Sequence, residues 1–97
     1  MTNGTTRDEI NKLKRINMIE YFTETDGDNI RKRSNGTVVH KSKEKIVIYE
    51  DHSYTFDDEE PKPYKDIIGT LQQIYGYTFF ETIEKLREYE IVYDLDL

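Results

Sequence analysis

Along the chain the apolar positions change period twice, and the changes divide it into three parts. In the first they recur at helical spacing. Thr6-Arg7-Asp8-Glu9 is a capping box, a threonine that accepts from a helical amide and a glutamate that reaches back to the cap. The helix it opens turns Ile10 and Leu13 inward, and Asn17 caps a short stretch with Met18, Ile19 and Phe22 on its apolar side. These form one continuous helix or two short ones. Gly27 is the natural stop in "TETDGDN".

From Asn29 the period falls to two. Residues 30–33 and 37–41 flank Ser34-Asn35-Gly36, and Asn-Gly is a strong hairpin signal. Residues 45–49 are a β-branched run, and 53–56 alternate polar and aromatic across a short turn. Pro61 and Pro63 then end an acidic loop, and helical spacing returns from about Tyr64 with Ile67, Ile68, Leu71, Ile74 and Tyr75. Gly76 stops that helix. Thr78-Phe79-Phe80-Glu81 is a second capping box, opening a helix with Phe79, Ile83 and Leu86 inward.

The pattern predicts an α+β domain: one or two short helices, a small antiparallel sheet of three to four strands, and two C-terminal helices that cover it. Residues 6–90 form this single domain, 1–5 a disordered start, and 91–97 a docking tail or short strand. Composition adjusts the picture only slightly. Charged residues make up 35% and mean hydropathy is −0.86, values that approach those of disordered chains. Eight tyrosines, four phenylalanines and the periodic segments argue for a fold. The absence of cysteine leaves packing to hold it and fits a cytoplasmic protein, and no signal peptide or membrane anchor is expected.

Charge is unevenly spread. Residues 1–45 hold ten Lys+Arg against seven Asp+Glu, whereas 46–97 hold four against thirteen, within a net charge of −6. One part of the surface thus suits an anion and another a basic partner. Arg31, Lys32 and Arg33 lie on the first strand, Lys41, Lys43 and Lys45 surround the next loop, and Tyr49, Tyr54 and Phe56 are close by. Strand alternation puts Arg31 and Arg33 on one face and Lys32 on the other. Cations beside rings form the minimal surface for single-stranded nucleic acid. The competing arrangement turns Tyr54 and Phe56 into the core and leaves the lysines to protect a sheet edge.

Catalysis finds less support. Asp51-His52-Ser53 has the letters of a hydrolase triad, but neighbouring residues cannot converge on one another, and there is no serine elbow or P-loop. The chain is not expected to be an enzyme. His40 and His52 precede the carboxylates Asp57, Asp58, Glu59 and Glu60, a set unlike the cysteine- and histidine-dominated structural zinc sites. Both histidines are expected to make ordinary hydrogen bonds, and no metal or other cofactor is expected.

The order of "INMIEYF", a hairpin, "HKSKEKIVI", "SYTF" and "YKDIIGTLQQIYGYTFFETIEKL" resembles the Cys-His-Cys-Cys zinc-ribbon domain of bacterial replicative primases. The resemblance spans residues 16–88. His40 falls at the family's ligand histidine, Ile46 and Val47 replace its serine-phenylalanine strand, and Tyr54 and Phe56 lie where its second ligand hairpin begins. Asp66 matches the aspartate that opens the following helix, with Ile67, Ile68 and Leu71 at the apolar positions after it. Thr78-Phe79-Phe80-Glu81-Thr82 matches the closing motif, Thr82 replacing its alanine and Leu86 standing as its leucine. The ligand cysteines would fall near Thr37, Phe56 and Glu59, where this chain has none.

The resemblance implies a metal-free relative of that ribbon, of the kind encoded beside primase-polymerase genes on mobile genetic elements. Such a subunit would be non-catalytic. It would bind single-stranded template DNA through Arg31, Lys32, Arg33, Lys41, Lys43, Lys45, Tyr49 and Tyr54. It would dock on a catalytic primase or polymerase subunit through its acidic, aromatic half, with Tyr64, Tyr75, Tyr77 and Tyr93 as contacts. An alternative stands beside it: an acidic protein-binding module, or DNA mimic, that regulates a nucleic-acid enzyme.

Overall fold

The computed structural model describes residues 6–56 and 64–95. In chain order these form α1 (Arg7–Leu13), α2 (Met18–Asp26), a 3-10 turn (Gly27–Asn29), β1 (Ile30–Lys32), β2 (Val38–His40), β3 (Lys43–Ile48), β4 (Ser53–Thr55), α3 (Ile67–Tyr75) and α4 (Phe79–Val92). It is the expected α+β arrangement, a four-stranded antiparallel sheet followed by two C-terminal helices. Each helix opens on a side-chain cap: Thr6, Asn17, Asp66 and Thr78 accept from the amides of Glu9, Glu20, Gly69 and Glu81. Only Thr78 completes the reciprocal box, its own amide donating to Glu81 at 2.8 Å.

The first two helices are separate. The chain tightens after Leu13, with Arg15 and Ile16 amides donating to Lys12 and Leu13 carbonyls. Asn17 then takes an extended backbone to cap α2, which interrupts any continuous helix. Gly27 does not act as a left-handed stop; its φ is −55°, and α2 ends by tightening into the 3-10 turn. Gly76 does stop α3, at φ +72°.

The sheet is a meander in the order β1-β2-β3-β4. Gly36, at φ +90°, is the turn's sole positive-φ position, so the β1–β2 loop is not the two-residue Asn-Gly turn. Residues 34–36 instead form a three-residue loop, closed by Gly36 N–H to the Arg33 carbonyl and by Asn35 Oδ1, which accepts from the Thr37 amide. Register pairs Arg31 with Val39, Val39 with Val47 and Val47 with Tyr54, one row across the outer face. The alternate row, Val38, Ile48 and Ser53, faces the helices.

Against that inner face pack Leu13, Met18, Phe22, Leu71, Ile83 and Leu86, all essentially inaccessible. α3 is tied to β4 by Ser53 Oγ and Thr70 Oγ1 at 2.6 Å and by Gln73 Nε2 donating to Thr55 Oγ1. α1 is tied to α4 by Arg87, which grips both oxygens of Glu9, and by Lys12 with Glu90 at 2.6 Å. One expectation fails at α4. Phe79 is not inward but 37% exposed, because the buried stripe begins at Thr82 and Ile83 and Phe79 lies in the turn before it. Of the two alternatives for the C-terminal segment, the described part forms no strand: the helix runs through Val92, and Leu95 then packs back onto the core.

Candidate nucleic-acid interface

Strand alternation and the β3–β4 turn build a row of rings on the outer face. Tyr49 stacks on His52 at 4.5 Å and 16° between planes, and His52 meets the edge of Tyr64 at 4.7 Å. Tyr64 packs on Tyr54 at 5.2 Å, and Tyr54 on Phe56 at 6.2 Å. Beside them runs a groove of about 630 Å³, floored by Val47 and flanked by Arg33 and Lys45. Tyr64 is 70% exposed and Phe56 62%, although the domain buries smaller apolar groups completely. A contiguous exposed aromatic patch is the departure from ordinary surface that marks a binding face.

Charge around the groove is selective. Arg31 forms an ion pair with Glu44 at 3.0 Å, which neutralises it locally. Arg33 donates to the Glu44 main-chain carbonyl at 2.7 Å, a bond that orients the guanidinium without cancelling its charge. Lys41 likewise donates to the Asp28 carbonyl. Lys32, Lys43 and Lys45 are exposed, and none has an ion pair among the described residues.

Of the residues singled out for nucleic acid, Arg33, Lys45, Tyr49 and Tyr54 converge on the groove. Arg31 lies on the same row of the outer face but is ion-paired, and Lys32, Lys41 and Lys43 do not line the groove. Tyr64, expected at a partner surface, is instead part of the aromatic row. Tyr75, Tyr77 and Tyr93 do lie together, in a separate cavity among the helices. Phe56, named beside Tyr49 and Tyr54 in the sequence, joins the row, and His52 joins it without having been assigned to it. Phe56 was legible from its two-residue spacing to Tyr54; His52 depends on how the turn folds and was not.

The histidines differ in setting. His52 Nδ1 lies 2.6 Å from Asp51 Oδ1, and this bond is the main reason the exposed Asp51 carboxyl is held below its usual range. Ser53 turns inward to Thr70, so Asp51, His52 and Ser53 do not converge. His40 is buried. The Ser42 amide donates to its Nδ1, which puts the imidazole proton on Nε2, donating to Asp26 Oδ2 at 2.8 Å. Tyr75 donates to the same oxygen at 2.6 Å and Asn29 to the other. Burial raises the Asp26 pKa, but these donors outweigh it and hold the carboxyl below its ordinary value. This links α2, β2 and α3 through one carboxylate.

Among the described residues no group of three or more His, Asp or Glu side chains is placed to hold a metal ion. The carboxylates at 57–60 lie outside the described residues. No described helix is long and apolar enough to cross a membrane. No family model matches the chain, and no curated protein or solved structure matches it either.

Proposed function

We propose that this protein binds single-stranded nucleic acid on the outer face of its sheet, as a non-catalytic subunit that presents template DNA to a separate primase or polymerase. The observation that carries this reading is the continuous row Tyr49-His52-Tyr64-Tyr54-Phe56 beside Arg33 and Lys45. Every base has a π face, so such rings accept a strand without reading its sequence, while the cations follow the phosphates. The net charge of −6 opposes binding at long range, so affinity is modest alone and greater beside a catalytic partner. In this reading Arg33 and Lys45 supply the DNA-facing cations, and the partner meets the acidic surface away from the aromatic row.

The test is fluorescence anisotropy with a labelled oligothymidylate of about ten nucleotides. With Arg33, Lys45 and one further lysine on phosphates, log K against log salt has a slope of roughly −2. Tyr64→Ala and Phe56→Ala, both exposed, each weaken binding about fivefold or more without moving the unfolding midpoint. The Arg33→Glu, Lys45→Glu double variant flattens the salt dependence. If folded variants bind as the parent does, the groove is not the site. If the protein binds no strand and instead competes DNA away from a polymerase, it is an acidic mimic.

A further inference from the structure

The helical side of the molecule holds a second concavity, of about 410 Å³, which shares no residue with the groove on the sheet. Its walls are five tyrosines: Tyr21 from α2, Tyr75 and Tyr77 at the end of α3, Tyr89 and Tyr93 at the end of α4. The rings support one another. Tyr75 stacks on Tyr77 at 5.2 Å, Tyr89 packs on Tyr21 at 4.8 Å, and Tyr93 on Tyr89 at 4.6 Å. Rings of this kind, clustered in one lining, carry quadrupoles that favour a cation over an anion.

Three further features give the cavity the same sign. Thr25 and Asp26, Tyr75, and Val92 line it from the last turns of α2, α3 and α4, so three helix C-termini meet at its rim. None of those last turns carries a basic residue to offset the dipole. Asp26 and Glu88 add two carboxylates to the lining. Glu88 has no ion pair among the described residues, and Asp26 is bonded only by Tyr75, His40 and Asn29. Burial first, and then Glu20 and Glu24, raise the Tyr89 pKa, which places negative charge around this wall as well. Lys85 is the one cation among the described residues of the lining; the Glu81 carboxyl one turn before it is held down chiefly by its bonds to Thr78, with Lys85 adding to the effect.

We propose that this tyrosine cage is a binding site for a single cationic group, a guanidinium or a quaternary ammonium, held over the rings and balanced by Asp26 and Glu88. The site stands independently of the nucleic-acid reading, since its residues and its ligand charge are both different. A cation of this kind has two sources: an arginine side chain of a partner protein, or a free small ammonium compound.

NMR titration of tyrosine ring protons, in the full chain and at constant ionic strength, tests this. The probes are N-acetyl-arginine methylamide and tetramethylammonium, with their neutral counterparts N-acetyl-citrulline methylamide and tert-butyl alcohol as controls. The expected result is saturable shifts confined to the cage rings for a cation and none for its neutral counterpart. Tighter binding of the arginine probe assigns the site to a partner's side chain; tighter binding of tetramethylammonium assigns it to a small compound. Tyr77→Leu weakens binding roughly two- to fivefold through the lost ring. Glu88→Gln, an exposed change that leaves the packing intact, weakens it by a similar factor. Equal binding of the neutral counterparts, or shifts unaffected by Glu88→Gln and unsaturated at high concentration, would overturn the proposal. Oligothymidylate binding should be unaltered in Glu88→Gln, so failure here is distinguishable from failure of the groove.

Discussion

Asp26 closes α2, accepts from a buried histidine on β2 and from a tyrosine on α3, and so sits where three elements meet. Its folded pKa lies below the ordinary 3.8, so as pH falls the unfolded chain takes up the proton first. The stability it contributes is therefore present above that ordinary value and is lost as pH falls through the folded one. Asp26→Asn should cost about 1–3 kcal/mol at neutral pH and flatten the acid limb of stability against pH, measured by urea unfolding at several pH values. A parallel acid limb in the variant would show that Asp26 is not the group responsible. At alkaline pH the tyrosines act in the opposite sense. Burial pushes Tyr21 up to about 12, and burial together with Asp26 raises Tyr75 further. The unfolded chain loses those protons first, so stability falls as pH rises from about 10. Absorbance titration at the tyrosinate band should show Tyr21, Tyr75 and Tyr89, which burial also raises, ionising late and together with unfolding. Eight tyrosines titrating together would contradict the buried setting. None of this was legible in the sequence, because His40 and Tyr75 lie 14 and 49 residues from Asp26 and no local pattern joins them.

Elements were far more legible. The caps at Thr6, Asn17 and Thr78, the change of period at Asn29 and the stop at Gly76 act within a few residues, so local sequence carries them. Thr78→Ala should lower stability by about 1 kcal/mol, since it removes the hydroxyl that accepts from the Glu81 amide. Gly76→Ala should cost a similar amount, of order 1 kcal/mol, because its positive φ disfavours a Cβ even though open space surrounds it. Urea unfolding of the two variants checks this; an unchanged midpoint in Gly76→Ala would mean that α3 ends differently in solution. Tertiary packing decides what local pattern does not. Phe79 has the spacing of an inward residue, yet the stripe that meets the core starts one turn later, and Ile91 and Val92 extend α4 although both are exposed. A β-branched pair resembles a strand until the neighbouring helix shows what it continues.

For the molecule as a whole, the two concavities differ in charge without following the split between residues 1–45 and 46–97, since Asp26 and Glu44 lie in the basic half and Lys85 in the acidic one. Arg33 and Lys45 border an aromatic groove on the sheet, whereas Asp26 and Glu88 border a tyrosine cavity among the helices. The sequence placed cations and rings near one another, but which face they share depended on pairing register, and the β2–β3 register shifts between Val39 and His40. The division of the tyrosines between two sites is likewise a product of the fold. Tyr64 follows the segment 57–63 and returns to the sheet, while Tyr75, Tyr77 and Tyr93 gather at helix ends. Strand binding on the sheet is tested most directly by mapping ring and amide shifts as an oligothymidylate of about ten nucleotides is added in low salt. Binding in the groove should move the rings of Tyr49, Tyr54, Phe56 and Tyr64 upfield, with amide changes along β3 and β4 and none at Tyr77 or Tyr93. Shifts confined to the helical cavity, or none anywhere while the protein remains folded, would contradict it.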